Sequence, residues 1–185
     1  MRLFRCFPWD AGVAESARGG AAWFPRMLQG SGRHDNPELY GCLYTTEAPI
    51  SCVVERLQSL RGNRLETGDL RSQGLPLALA ALAIPDEAPI VDLDEPRVLA
   101  GEGLRPSLVA TGERARTQAD AAALFQRRPE ASGVRWWSTF ESQWPNVTLF
   151  DRAAGSLEVE DVRSLELGDE VVEDAARFLG LPVAG

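Results

Sequence analysis

Apolar and polar residues follow one another in blocks along the chain, and most blocks indicate one element of secondary structure. Short apolar runs bounded by proline, glycine or charged residues predict strands. These strands are Leu3–Phe7, Gly41–Tyr44, Leu75–Ile84, Ile90–Leu93, Val134–Trp137 and Val147–Phe150, with one or two more in 157–167. Helical spacing of apolar residues predicts helices at 50–60, 94–99, 113–125 and 169–179. The polar or Gly- and Ala-rich stretches 10–31, 61–74 and 101–113 are predicted loops, the first with one short helix.

The helix after the second strand has one apolar stripe and one polar side. Thr45–Glu47 offers capping side chains, Pro49 suits the first turn, and Gly62 is a stop signal. The stripe consists of Ile50, Val53, Val54, Leu57 and Leu60. At about 100° per residue, Glu55 points away from the centre of this stripe, toward either solvent or a cleft.

The order of the elements predicts the fold class. Strands and helices mix without regular βαβ alternation, which favours an α+β fold over a doubly wound sheet. We therefore predict one compact domain over residues 1–185, with mixed, largely antiparallel β-sheets flanked by helices. The sequence has no G-x-G-x-x-G after a strand and no Walker A motif, so a Rossmann or P-loop nucleotide site is unsupported.

Composition narrows the classes of partner. The 185 residues carry a net charge of −8, and all 19 basic side chains are Arg. An acidic chain without a basic cluster is poorly suited to bind nucleic acid by counterion release, so no direct nucleic-acid partner is predicted. No apolar run is long enough for a bilayer, and the start lacks the apolar stretch of a secretory signal. These features predict a cytoplasmic protein without a membrane partner.

Cysteine and histidine usage argues against metal chemistry. Cys6, Cys42 and Cys52 are odd in number and lack metal-ligand spacing, and disulfides are not expected in the predicted compartment. His34 is the single histidine, which excludes a pair of His ligands and weakens Ser-His or Cys-His catalysis. We interpret His34 as a surface turn residue and predict no metal.

The stretch 32–55 contains the most suggestive chemistry. Arg33 lies in a polar turn, Tyr44 at the end of a strand and Glu55 on the following helix, each eleven positions after the one before. Arg supplies a fork that matches phosphate oxygens, and Tyr offers an aromatic face with a polar tip. A carboxylate can hydrogen-bond sugar hydroxyls and stabilise positive charge at a sugar carbon. The three side chains could therefore converge on one anionic ligand that contains rings.

Two sets of residues resemble the RES domain family, which is named for its recurring Arg, Glu and Ser. The first is Gly32-Arg33-His34 with Asn36-Pro37, followed by Tyr44 and Glu55. The second is Gly133-Val134-Arg135-Trp136-Trp137-Ser138 with the later Asn146-Val147-Thr148-Leu149-Phe150. The resemblance extends from the first strand to Phe150.

The resemblance implies an ADP-ribosyltransferase-like fold and an enzyme that consumes NAD+ by breaking the nicotinamide–ribose bond. In this interpretation NAD+ is the substrate and no cofactor is needed. Glu55 is the catalytic carboxylate, Arg33 a phosphate clamp, Tyr44 a stacking aromatic and Ser138 a hydrogen-bond donor. Further candidates for substrate binding are Arg135, Trp137, Asn146 and Arg26. The family also implies a toxin paired with a DNA-binding antitoxin, and a homodimer.

Three points stay open at this stage. The acceptor of the ADP-ribosyl group is water, phosphate or a protein, the last making the chain an ADP-ribosyltransferase. A non-catalytic nucleotide-binding module is a further alternative. This sequence also departs from the family pattern, because His34 stands where Trp is frequent and 38–40 replaces the usual Pro-Gly region.

Overall fold

The computed structural model describes residues 1–184 and contains eight strands and five α-helices within them. The strands are β1 (Arg2–Pro8), β2 (Cys42–Thr46), β3 (Arg71–Ser72), β4 (Leu75–Ala83), β5 (Ile90–Asp92), β6 (Gly133–Trp137), β7 (Pro145–Phe150) and β8 (Glu158–Ser164). The helices are α1 (Pro49–Leu57), α2 (Pro96–Gly101), α3 (Pro106–Val109), α4 (Arg114–Arg127) and α5 (Glu170–Leu179). Of the five strand pairings with a multi-residue register, four are antiparallel and one, β5 with β6, is parallel. The predicted α+β class with mixed, largely antiparallel pairing is confirmed.

The contacts between residues divide the chain into two compact units. The first unit contains 1–23, 46–83 and the described residues from 158 onward, and the second contains 24–45 and 84–157. Each unit draws on separate stretches of the chain. The prediction of one domain over 1–185 stays a prediction.

In the first unit, β4 pairs antiparallel with β1, β3 and β8. The β4 side chains from Leu77 to Leu82 are all buried, so this strand is covered on both faces. That explains why an Ala- and Leu-rich run with helical propensity forms a strand, since tertiary packing overrides local preference. Helix α1 packs against β1 and α5.

In the second unit, the strand order is β2-β7-β6-β5. Its apolar core includes side chains from the strands, from the loop before β2, and from helices α2, α3 and α4. Its buried members are Tyr40, Cys42, Leu93, Leu99, Val109, Leu124, Val134, Trp136 and Phe150. The candidate side chains other than Glu55 belong to this unit.

Several local predictions need correction. The residue before α1 is Ala48, which makes no side-chain cap, and Thr45 and Thr46 lie in β2 instead. The predicted loop 101–113 contains α3, whose first residue, Pro106, has the fixed φ that suits a helix start. Phe178 is 40% exposed, although its position in the apolar pattern of α5 suggested burial.

Candidate functional site

The loop before β2 is held by the carboxylate of Asp35. Its Oδ2 accepts hydrogen bonds from the backbone N–H groups of Gly30 (2.8 Å) and Gly32 (2.6 Å). Its Oδ1 accepts one from the Tyr44 hydroxyl (2.7 Å). A Cβ at Gly32 would lie 2.5 Å from the Tyr44 hydroxyl oxygen and 2.6 Å from Asp35 Oδ1, so only glycine fits there. The carboxylate therefore fixes the segment that leads into Arg33.

The Arg33 guanidinium is buried, with 7% of the residue exposed. Its Nη1 donates to the carbonyl oxygens of Val109 (3.0 Å) and Thr111 (2.6 Å), just where α3 ends. Its Cζ lies 4.8 Å from the ring centroid of Trp136. A planar cation can make in-plane hydrogen bonds while its face rests on an aromatic ring, so this geometry suits Arg and not Lys.

Tyr44 is tied to the same loop. Besides donating to Asp35, its hydroxyl oxygen accepts a hydrogen bond from the backbone N–H of His34 (2.9 Å). Burial raises the pKa of the Tyr44 hydroxyl far above its ordinary value, with smaller contributions from Cys42 and Asp35. The hydroxyl therefore stays protonated and serves the loop, and the aromatic ring is the part of Tyr44 suited to a ligand.

Strands β6 and β7 carry three further candidates, Arg135, Trp137 and Asn146, on two different faces. Trp136 is directly opposite Asn146 in the antiparallel register, so their side chains share one face of the sheet. Because side chains alternate along a strand, Arg135 and Trp137 project from the other face. The register thus places Asn146 beside Trp136, the residue whose ring Arg33 contacts, and it places Arg135 and Trp137 on the other face.

Ser138 directly follows β6, in phase with Trp136. It is 3% exposed, and its Oγ accepts a hydrogen bond from the backbone N–H of Phe140 (3.1 Å). Its own backbone N–H donates to the carbonyl oxygen of Trp144 (3.0 Å). These bonds fix the position of the hydroxyl at the end of the strand.

The two outlying arginines make structural contacts. The Nη1 of Arg135 lies 3.1 Å from both carboxylate oxygens of Asp92, its register partner on β5. Arg26 donates to the carbonyl oxygens of Pro37 (2.6 Å) and Glu38 (3.0 Å). Both contacts connect backbone segments within the second unit, and they account for these arginines without a ligand.

Glu55 lies on α1 in the first unit and is half-buried. Its position on the helix agrees with the polar side that the apolar spacing predicts. The predicted convergence of Glu55 with Arg33 and Tyr44 stays a prediction.

Sequence reasoning missed three residues of this site. Asp35 and Trp136 are the groups that hold the loop and support Arg33, and His34 is buried, with 4% exposed. The interpretation of His34 as a surface turn residue is therefore wrong. One signal is present in the sequence. Side chains two residues apart in an extended segment lie on the same face, so Ser138 as a candidate favours Trp136 over Trp137.

His34 gives the fold a specific pH dependence. Burial, with smaller contributions from the positive charges of Arg33 and Arg114, lowers the pKa of the imidazole from 6.5 to about 3. Between these two pH values the unfolded chain binds one more proton, at His34, than the folded chain. The contribution of the neutral imidazole to the free energy of unfolding is therefore fully present above pH 6.5 and is lost as the pH falls toward 3.

We therefore expect wild type to lose stability relative to His34→Asn, which cannot titrate, by about 1.4 kcal/mol per pH unit below 6.5. Urea unfolding at pH 7.5, 6.5, 5.5 and 4.5 measures the free energy of unfolding of both proteins. Most of the contribution from carboxylates is common to the two and cancels in their difference. Because His34 is the single histidine, no other imidazole contributes. Parallel stability curves for the two proteins across this range would contradict the assignment.

The chain matches a known protein family over most of its length. The model of the RES domain matches residues 2–169. The chain belongs to the RES domain family. None of the curated proteins matches the sequence.

A solved structure with a similar fold is the M. tuberculosis MbcT–MbcA toxin–antitoxin complex, with a TM-score of 0.60. The two sequences are 17% identical over 97% of this chain and 87% of the other, a likeness that concerns the fold alone. Among residues 1–184 of this RES domain protein, no helix combines the length and apolar character needed to cross a membrane. In the same part of the chain, no three His, Cys, Asp or Glu side chains are grouped as metal ligands.

Proposed function

We propose that this RES domain protein consumes NAD+ by breaking the bond between nicotinamide and ribose, and that it acts as the toxin of a toxin–antitoxin pair. The observation that carries the proposal is the fixed guanidinium of Arg33 on the face of Trp136, beside the loop that holds Tyr44. A cation supported by aromatic rings suits an anionic ligand that contains rings. Family membership supports the same conclusion.

The reaction needs charge stabilisation more than covalent chemistry. As the bond between C1 of the ribose and the nicotinamide nitrogen breaks, its electron pair leaves with nicotinamide, and the ribose carbon becomes positive. A carboxylate near this carbon stabilises the charge, as in glycoside cleavage. Glu55 takes this role from the motif spacing alone, and water or phosphate then supplies the oxygen that bonds to C1.

The other candidates would hold the substrate. Arg33 would attract the pyrophosphate, and the ring of Tyr44 would stack on the nicotinamide. Asn146 pairs with Trp136 in the sheet register, and Ser138 lies two residues after Trp136 on the same face. Both would hydrogen-bond the ribose or the carboxamide. Arg135 and Trp137 project from the opposite face, so we leave them out of the site.

The purified protein incubated with labelled NAD+ tests this proposal. We expect nicotinamide to be released together with free ADP-ribose, or with a phosphorylated ADP-ribose when phosphate is present. Glu55→Gln should abolish turnover, whereas Glu130→Gln, which changes an exposed carboxylate in the same way, should retain it. Label that appears on protein would indicate an ADP-ribosyltransferase instead. Binding without turnover would indicate a nucleotide-binding module.

The antitoxin partner is the second part of the proposal. The similar structure is a complex of a toxin with an antitoxin, and one chain in it has the fold of this protein. We propose that a DNA-binding partner encoded beside this chain binds it and suppresses NAD+ turnover. Co-expression with the neighbouring gene product, followed by purification through a tag on one chain, tests the association. Failure of the two to co-purify would contradict it.

A further inference from the structure

The hydroxyl of Thr148 is approached by two ring nitrogens. Thr148 is fully buried on β7, and its Oγ1 lies 3.2 Å from Trp136 Nε1 and 2.9 Å from His34 Nδ1. An indole N–H can only donate, so Thr148 Oγ1 accepts from Trp136. The hydroxyl hydrogen then remains for the third member of the group.

Only one arrangement lets the Thr148 hydroxyl hydrogen form a hydrogen bond within this group. If it points to His34 Nδ1, the imidazole accepts there and carries its own proton on Nε2, and both bonds of the hydroxyl are made. If Nδ1 were protonated, Thr148 Oγ1 would accept twice, and its own hydrogen would be buried without a partner, which costs free energy. The hydrogen-bond count therefore favours the neutral Nε2–H tautomer of His34.

The imidazole is also fixed by its backbone. The N–H of His34 donates to the Tyr44 hydroxyl (2.9 Å), and its carbonyl oxygen accepts from the Tyr40 hydroxyl (2.9 Å). The ring meets Trp136 edge to face, with centroids 5.3 Å apart and planes at 79°. Trp136 is thus held by Thr148 at its nitrogen and by His34 at its ring.

We propose that His34 and Thr148 are positioning residues that hold Trp136 against the Arg33 guanidinium. The cation is then in place for the anionic part of the substrate, an inference that rests on the proposed function. They act through Trp136 and do not themselves touch the substrate. The arrangement needs a neutral imidazole, because a second cation beside Arg33 would repel it. Arg114 adds to that repulsion, and Asp120 is the acidic group that lines the same hollow as His34.

Nitrogen NMR of protein labelled with ¹⁵N-histidine tests the tautomer directly, since the chain has one histidine. From pH 5 to 8 we expect Nδ1 to show the shift of an unprotonated acceptor and Nε2 that of a protonated nitrogen. Thr148→Val should mix or reverse the two forms, and Thr148→Ser should keep the wild-type pattern. A proton on Nδ1 in the wild type would overturn the proposal, whether or not the protein turns over NAD+.

Kinetics tests the positioning role. In Thr148→Val we expect KM for NAD+ to rise roughly tenfold with kcat much less affected, because a misplaced binding cation weakens ground-state and transition-state binding alike. Thr148→Ser should restore the wild-type KM. Thr45→Val is the matched control, because it also removes a buried hydroxyl, one that donates to the Val147 carbonyl oxygen (2.7 Å). Equal changes in Thr148→Val and Thr45→Val, or no rescue by serine, would overturn the role.

The NMR and kinetic experiments together distinguish a failure of this inference from a failure of the proposed function. If wild type leaves NAD+ unchanged while NMR finds the Nε2–H tautomer, the proposed activity is wrong, and so is the link from this group to that substrate. If wild type consumes NAD+ but NMR finds Nδ1–H, the activity stands and the positioning proposal is wrong. Near-UV circular dichroism of each variant verifies that the tertiary structure is retained.

Discussion

Arg33→Lys is expected to lower kcat/KM for NAD+ by about a hundredfold, mainly through a higher KM, because losing a charged hydrogen bond to the pyrophosphate typically costs about 1.5–3 kcal/mol. Lysine keeps the charge but not the planar fork. One ammonium group cannot donate to the carbonyl oxygens of Val109 and Thr111 and also lie flat on Trp136. The cation would therefore move, although the net charge of the site is unchanged.

Arg152→Lys is the matched control for this experiment. The Arg152 guanidinium also donates to two backbone carbonyl oxygens, those of Arg128 and Pro129, and its Cζ lies 3.6 Å from the ring centroid of Phe125. Both variants should lose comparable stability in urea, but only Arg33→Lys should lose turnover. If kcat/KM falls equally in both, Arg33 has no special role in the reaction.

The sequence predicted elements well where an apolar pattern has clear limits, such as flanking prolines or a terminal glycine. The apolar run from Leu75 and the amphipathic pattern that ends at Gly180 each identify an element with the correct type and closely matching bounds. Helix α3 was not predicted because four residues are too few to show a 3.6-residue period. Phe178 fits the apolar pattern of α5, yet it is exposed, because spacing along one helix cannot show how far the packing surface extends.

The candidate site was predicted in part for a similar reason. Residue types suited to reaction or binding, such as the Arg and Tyr at positions 33 and 44, are visible in a sequence when they occur at motif spacing. Residues that hold them, such as Asp35, are visible only when distant backbone N–H groups are known to meet one carboxylate. His34 shows the same limit, since its partner Thr148 is more than a hundred residues away.

Asp35→Ala should destabilise the protein more than any other single change near the site. The carboxylate is 5% exposed and accepts from the Gly30 and Gly32 N–H groups and from the Tyr44 hydroxyl. Alanine leaves these three donors without their acceptor, and breaking such a buried charged network typically costs about 3–5 kcal/mol. Urea unfolding at pH 7.5 measures the loss, and we expect the midpoint to fall while the slope stays the same.

Three further variants show how that loss is divided. Tyr44→Phe removes both hydrogen bonds of the hydroxyl, the one to Asp35 and the one from the His34 N–H, and should cost about 2 kcal/mol. Asp35→Asn keeps the shape but has one accepting oxygen instead of two, so its loss should lie between those of Tyr44→Phe and Asp35→Ala. Asp151→Ala is the control, because its carboxylate is more exposed and accepts from a single glycine N–H, that of Gly41 (2.7 Å). If Asp35→Ala costs no more than Asp151→Ala, the loop that carries Arg33 is held by something other than this carboxylate, and the fixed position of the guanidinium needs another cause.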